Sequence, residues 1–410
     1  MHMKTYLTNK FLEIFGQSDN IRIFFTPGRV NLIGEHTDYN GGHVFPCALT
    51  IGTYAVVRFN NSNRIRFYSL NFSKEGIIET GIENMEYNDN HLWANYPKAM
   101  IWALESNGYK INKGFDVMYY GTIPNGSGLS SSASIEVVTG YMLKELFGFD
   151  YDNIKIALMA RDAENKYIGV NCGIMDQFAV AMGKKGYAIF LDTNTLSYKY
   201  VPLRLGDYKI VIMNSNKKRG LNDSKYNERR SECEKALKYL QKVKDIKSLG
   251  ELSVDEFERI KDVIKDDDNG EILIKRVRHA VYENVRTIKA LEVLISENEL
   301  SDVDRQISDV EETKGLKIFG QLMNESHRSL KKDYEVTGLE LDTLVEVALK
   351  CEGVLGARMT GAGFGGCAIS LVHKDYVDEF VIKVGEEYES KIGYKADFYV
   401  VETGDGACEI

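Results

Sequence analysis

The chain has 410 residues, 44% of them hydrophobic and 27% charged, with a formal net charge of −9. That suits a globular protein of roughly two or three domains. It excludes a general nucleic-acid or anionic-membrane surface, which needs a basic excess, while a small anion held by backbone N–H groups stays open.

MHMKTYLTNKFLEIFG reads as a short amphipathic helix. It has neither the unbroken apolar region nor the small-residue cleavage site of a signal peptide, and no run in the chain approaches the ~18 apolar residues of a membrane span. IRIFFTPGRV reads as a strand running into a turn. The turn, PGRVNLIGEHTDYNGG, sets Arg29, Glu35, His36 and Asp38 among Gly28, Gly34, Gly41 and Gly42. Neither a core strand nor a solvated helix face has this composition. Carboxylates accept hydrogen bonds from hydroxyls, so the turn suits recognition of a polyol. A metal site competes less well, because one His and two acids lack the spacing of a His-rich site.

VFPCALTIGTYAVVRF reads as a β-rich pair broken near Gly52, and LWANYPKAMIWALESNG as a helix with Pro97 in an early turn and Gly108 as its stop. After the strand GFDVMYYGTIP comes IPNGSGLSSSASIEVV, in which Gly126 and Gly128 permit a tight turn. Ser130, Ser131 and Ser132 then lead into a helix whose free N–H groups and positive dipole end form an anion cradle. There is no Gly-Lys-Ser/Thr, so it is not a P-loop. A plain helix cap is the alternative reading.

DNIKIALMARDAENKYIG predicts a helix with Glu164 near its end, readable as a surface carboxylate. GVNCGIMDQFAVAMG puts Asp176 at the head of a short helix, where the dipole favours a carboxylate or where it serves as a cap. YAIFLD and YKIVIMNS are short buried strands, and PLRLGD between them suggests a boundary, giving domains 1–205 and 206–410.

The second half predicts helices over about 224–243 and 270–297, the latter after an acidic DDDNG loop, then KGLKIFGQLMNESHRSLKK and ELDTLVEVALKC. It ends on the strands GARMT, GCAISLV and KADFYVVET, an α+β pattern with a small antiparallel sheet. In MTGAGFGGCAISLV, Gly361, Gly363 and Gly366 satisfy G-x-G-x-x-G, but a strand follows where a dinucleotide fingerprint opens a helix. The run is a turn between strands, or a loop that brings backbone close to a ligand. The six cysteines show no knuckle spacing and read as free thiols in a reducing, cytoplasmic setting.

Taken in order, these segments resemble the galactokinases of the GHMP family of small-molecule kinases, over nearly the whole length. PGRVNLIGEHTDYNGG is similar to the galactokinase signature, IPNGSGLSSSAS to the ATP loop and MTGAGFGGCAISLV to the third motif; GVNCGIMDQF, LNDSKYNERRSEC and FGQLMNESHRSL with LELDTLV match further stretches. The resemblance implies a two-lobed α+β fold, with an S5-like N-terminal and a ferredoxin-like C-terminal domain around a cleft. It implies transfer of the ATP γ-phosphoryl group to the anomeric hydroxyl of galactose. Asp176 and Arg29 match the catalytic positions. Glu35, His36, Thr37, Asp38, Gly173 and Tyr226 match the sugar contacts. Ser69 and the run Gly126, Ser127, Gly128, Leu129, Ser130, Ser131 and Ser132 match ATP contacts, and Ser132 with Glu164 match the Mg²⁺ positions. Two neighbouring functions stay in view: a 1-kinase for N-acetylgalactosamine or another neutral sugar, and a non-catalytic galactose sensor. The intact GLSSSAS with Arg29 and Asp176 favours an enzyme. The expected partners are galactose and ATP, with no nucleic acid and no membrane, in a monomer or weak oligomer.

Overall fold

The computed structural model describes all residues except 1–2, 19, 125, 218–221 and 300–313. Asn125 of the serine loop and Leu221 of LNDSKYNERRSEC thus lie outside the described residues. Helix α1 (Met3–Phe15) precedes strands β1 (Arg22–Asn31), β2 (His43–Val44), β3 (Pro46–Phe59), β4 (Arg64–Ser69) and β5 (Ile78–Gly81). Next come α2 (Asn95–Ser106), β6 (Phe115–Gly121), α3 (Ser131–Phe147), α4 (Asn153–Ala163), α5 (Met175–Met182), β7 (Tyr187–Asp192) and β8 (Tyr198–Pro202). Then follow β9 (Tyr208–Asn214), α6 (Asn222–Leu240), α7 (Val254–Ile260), α8 (Gly270–Glu299), α9 (Lys314–Ser329) and α10 (Gly338–Ala348). The chain closes with β10 (Val354–Thr360), β11 (Cys367–His373), α11 (Val377–Ile392), β12 (Asp397–Val401) and β13 (Cys408–Glu409).

The largest sheet runs β13-β1-β3-β6-β4-β5, with β4 and β6 parallel and the other pairs antiparallel. Side chains alternate across it, as the pleat demands. Phe24, Ala55 and Val57 face a core built with α2, α3, α4 and α5. Their neighbours Ile23 and Val56 face the other way, onto the α1 stripe Leu7, Phe11 and Phe15. That i, i+4, i+8 spacing is what turns one helix face toward a sheet.

The second sheet, β10-β11-β9-β12, is wholly antiparallel. Met213, Ala357 and Met359 pack against α10 and α11 through Leu344, Val384 and Tyr388. Its other face shares a core with the first lobe: Ile212, Ile369 and Leu371 meet Val30, Leu32 and Phe45, together with Phe319 and Met323 of α9. A three-stranded sheet, β2-β7-β8, completes the set.

Several local expectations change. Gly52 does not break its strand: β3 is continuous, and at Gly52 it passes a bulge in β1 between Pro27 and Arg29. A Cβ on Gly52 would sit 2.0 Å from the Thr26 carbonyl oxygen. Helix α11 lies where the sequence reading saw only strands; its buried Phe380, Val384 and Tyr388 repeat at helical spacing. The helix expected through Gly169 leaves α geometry at Ala163 and widens into a π turn over Glu164–Ile168. The last strand, β13, returns to pair with β1.

Substituting Gly52→Ala forces this bulge apart and should cost about 1–3 kcal/mol in denaturant unfolding. Gly81→Ala, where an added Cβ meets open space, should stay within about 0.5 kcal/mol of the parent protein.

Candidate functional site

A cavity of ≈ 380 Å³ lies between the lobes. Its walls include β1 with the acidic turn after it, the serine loop before α3, the turn after α4, the head of α5, Tyr226 of α6 and the glycine turn joining β10 to β11.

Gly28 lets β1 pass under the serine loop, since a Cβ there would sit 2.8 Å from the Leu129 carbonyl oxygen. Arg29, next along β1, makes a bidentate pair with Asp176: Nε to Oδ1 at 2.8 Å and Nη2 to Oδ2 at 2.7 Å. Its Nη1 donates to the Gly128 carbonyl at 2.9 Å, so one guanidinium ties the serine loop to the head of α5. Ser130 donates to Asp176 Oδ2 at 2.6 Å. Ser130 has φ +64 and stands at the N-terminal boundary of α3 without a side-chain cap bond; the helix presents the exposed Ser131 and half-buried Ser132 to the cavity. Free N–H groups at that helix end, with its dipole, favour an anion.

The acidic turn folds so that two carboxylates reach inward. Glu35 Oε2 accepts from Arg358 Nη2 at 2.6 Å and from Asn31 Nδ2 at 3.2 Å, while Oε1 accepts from Gly361 N–H at 2.8 Å. Burial pushes its pKa up, against the pull of Arg358 and Arg29. Asp38 lies against Gly173, where any Cβ would come within 1.9 Å of its Oδ2. Burial, then the charges of Asp176 and Glu35, push the Asp38 carboxyl up to about 7. His36, at φ +60, is held neutral; burial and the neighbouring His279 lower its pKa to about 3. Tyr226 of α6 stands beside it, with ring centroids 5.7 Å apart.

Glu164 sits in the π turn and accepts from Gln177 Nε2 at 2.7 Å. Burial, then Asp176, raise its pKa to about 7, opposed by hydrogen bonds from Ser132, Cys172 and Gln177. Among the described residues, no group of three or more His, Cys, Asp and Glu is arranged to hold a metal ion. The glycine turn closes the cavity: a Cβ on Gly361 or Gly366 would sit 3.0 Å from the carbonyl oxygens of Gly128 and Ser127 respectively.

Arg29, Glu35, His36, Asp38, Ser69, Gly128, Ser130, Ser131, Ser132, Glu164, Gly173, Asp176 and Tyr226 all line this one cavity. Thr37, Gly126, Ser127 and Leu129 do not. The Thr37 hydroxyl lies 2.8 Å from Gly34 O and 2.7 Å from His43 O and locks the turn from within. Ser127 and Leu129 are buried under the loop, and Gly126 is exposed with φ +74.

The sequence reading did not single out Phe72, Trp93, Tyr96, Ile135 and Val170, apolar side chains that line the same cavity as Ser69 and Asn71. WANY carried the signal: Trp93 and Tyr96 are three residues apart, Trp93 in the 3-10 turn Asp89–Ala94 and Tyr96 in the first turn of α2. Apolar and aromatic lining beside an anion-binding helix terminus suits a nucleotide, and the same cavity carries the hydroxyl-accepting acids.

Three family models match: the galactokinase galactose-binding signature over residues 9–59, the GHMP kinase N-terminal domain over 95–184 and the GHMP kinase C-terminal domain over 307–390. The chain is 57% identical to the galactokinase of Clostridium beijerinckii over 98% of each chain. It is 55% identical to that of Clostridium acetobutylicum over the full length of both. A solved Lactococcus lactis galactokinase complexed with galactose has a TM-score of 0.92 at 51% identity, covering 99% of this chain and 100% of that one. The mevalonate kinase of Methanococcus jannaschii, at 18% identity and a TM-score of 0.61, shares the fold alone. The expected two-lobed GHMP kinase architecture stands, and the chain belongs to the galactokinases of the GHMP kinase family.

Proposed function

We propose that this protein transfers the γ-phosphoryl group of ATP to the anomeric hydroxyl of α-D-galactose, giving galactose 1-phosphate and ADP. The observation that carries the reading is the Arg29–Asp176 pair. It joins β1, just ahead of the acidic turn, to the head of α5, and the same guanidinium bonds the serine loop, so one group links the lining acids to the anion-binding helix terminus.

In-line phosphoryl transfer asks mainly for positioning and charge stabilisation. The aromatic lining takes the adenine, and the α3 terminus with Gly128, Ser130 and Ser131 takes the phosphates. Glu35, His36, Asp38, Gly173 and Tyr226 take the sugar. A carboxylate has about four lone-pair directions. Arg29 and Ser130 occupy three on Asp176, two of them on Oδ2. The free direction on Oδ1 receives the anomeric hydroxyl, orients it and takes its proton as the O–P bond forms. Arg29 stabilises the attacking oxygen and the group in flight.

Mg²⁺ fits the donor set in a particular way. One hydroxyl and one buried carboxylate, Ser132 and Glu164, make no protein cage, but they suit a cation that keeps waters and arrives on phosphate oxygens. When bound, it would neutralise charge developing on those oxygens. Both lobes contribute to this reading, with the division near residue 205. Six free cysteines, and no helix among the described residues long and apolar enough to cross a membrane, support a cytoplasmic enzyme.

Asp176→Asn should lower kcat by about 10²–10⁴-fold in an ADP-release assay while calorimetry finds galactose still bound. Near-full turnover would remove Asp176 from the chemistry.

Asp38 titrates near 7, so its acceptor form is present above that pH and lost below it. With ATP and Mg²⁺ saturating, so that Glu164 is already engaged, log kcat/KM for galactose should therefore fall as pH drops below 7, and Asp38→Asn should flatten that limb. Asp38→Ala should raise KM for galactose far more than KM for ATP; equal rises count against the assignment.

Gly173→Ala drives a methyl into the Asp38 carboxylate. KM for galactose should rise at least about tenfold, since a displaced buried acceptor leaves hydroxyls unpaired. An unchanged KM would show that the contact is not needed.

A further inference from the structure

We propose that Tyr39 and Tyr334 are positioning residues for the galactose site: a one-way hydrogen-bond relay from Cys233 through both tyrosines holds His36 as its Nε2–H tautomer, and that N–H fastens the glycine turn over the acidic turn. The relay rests on the galactose reading of the same cavity.

His36 Nε2 lies 3.2 Å from the Ala362 carbonyl oxygen, and Nδ1 lies 2.8 Å from the Tyr39 hydroxyl. A carbonyl only accepts, so Nε2 must carry the hydrogen. A neutral imidazole has a single N–H, which leaves Nδ1 as an acceptor. Burial keeps the ring neutral. Tyr39 must therefore donate to Nδ1.

The Tyr39 oxygen is 2.7 Å from the Tyr334 hydroxyl. With its own hydrogen committed to His36, Tyr39 accepts there and Tyr334 donates. Behind Tyr334 stand Cys233 Sγ at 3.2 Å and Asn40 Nδ2 at 3.5 Å. Asn40 Nδ2 is a donor, so the Tyr334 oxygen is already an acceptor on that side, and the Cys233 S–H points the same way. Every member then donates toward His36, and the one terminal acceptor is Ala362.

Two further features fit a device built for position. The His36 backbone is left-handed, at φ +60, a conformation that a residue with a β-carbon keeps only when its surroundings hold it. The segment that supplies Tyr334 also holds the glycine turn directly, since Phe364 N–H donates to the Val336 carbonyl at 2.6 Å. One short stretch of the second lobe thus anchors the glycine turn and sets the orientation of His36, a cavity-lining side chain.

The test begins with the unaltered protein. ¹⁵N-labelled histidine spectra at pH 7, with His36 assigned by its loss in His36→Asn, should show a protonated Nε2 and a bare Nδ1. A protonated Nδ1 overturns the relay. This readout does not depend on turnover, so it separates failure of the relay from failure of the galactose assignment. Tyr334→Phe keeps the ring and deletes the donor. KM for galactose should rise about tenfold, as expected for one orphaned buried acceptor, with KM for ATP within about twofold. Equal rises in both constants, or none, overturn the proposal.

Discussion

A buried ion pair between the lobes anchors the acidic turn. The Glu35 and Arg358 side chains are 1% and 0% exposed, and their charged atoms lie 2.6 Å apart. The pair joins β10 of the second lobe to the first lobe's turn, and Arg358 adds a bond from Nη1 to the Asn31 carbonyl at 2.8 Å. Taking two charges out of water is expensive, and such a pair is tolerated only where other hydrogen bonds finish the job. Gly361 N–H and Asn31 supply them on the acid side. A second buried carboxylate, Glu283 of α8, accepts from the Gly34 and Glu35 N–H groups and from Ser326, and pairs with Arg286. The turn is thus clamped from two sides before any ligand enters.

Around that clamp the cavity concentrates acid. Glu35, Asp38, Glu164 and Asp176 all line it, with Arg29 as the guanidinium among its lining residues. Burial and mutual repulsion hold Asp38 and Glu164 near 7 instead of in the ordinary carboxylate range. Such groups are poised to change protonation when a ligand brings hydroxyls or a cation. Glycines at 173, 361 and 366 contribute by absence: each leaves room for a carboxylate or a carbonyl that a side chain would displace.

Much of this was legible in the chain. Charge among glycines marked the acidic turn, glycine and serine before an apolar helix marked the anion cradle, and GIMDQF marked Asp176, because each lies within a few residues of backbone. What stayed hidden is what depends on distant partners. Arg358 in GARMT looks like any strand residue until its partner 323 positions earlier is known. Trp93 and Tyr96 read as helix aromatics, since nothing local shows that β4 and α3 leave a slot beside them. Gly52 reads as a strand breaker when it is a relief cut for the neighbouring bulge. Helix α11 was passed over because its apolar stripe lies between two strong strand runs.

The same long separations bear on synthesis. The bonds from Glu35, His36 and Asn31 to Arg358, Gly361, Ala362 and Thr360 span 323 to 329 residues. Contacts of such range are slow to form, and a chain emerging from the ribosome makes them last. Until Arg358 is out of the exit tunnel, Glu35 waits without its counter-ion, and a nascent chain stalled before that residue carries the whole signature yet cannot seal the turn.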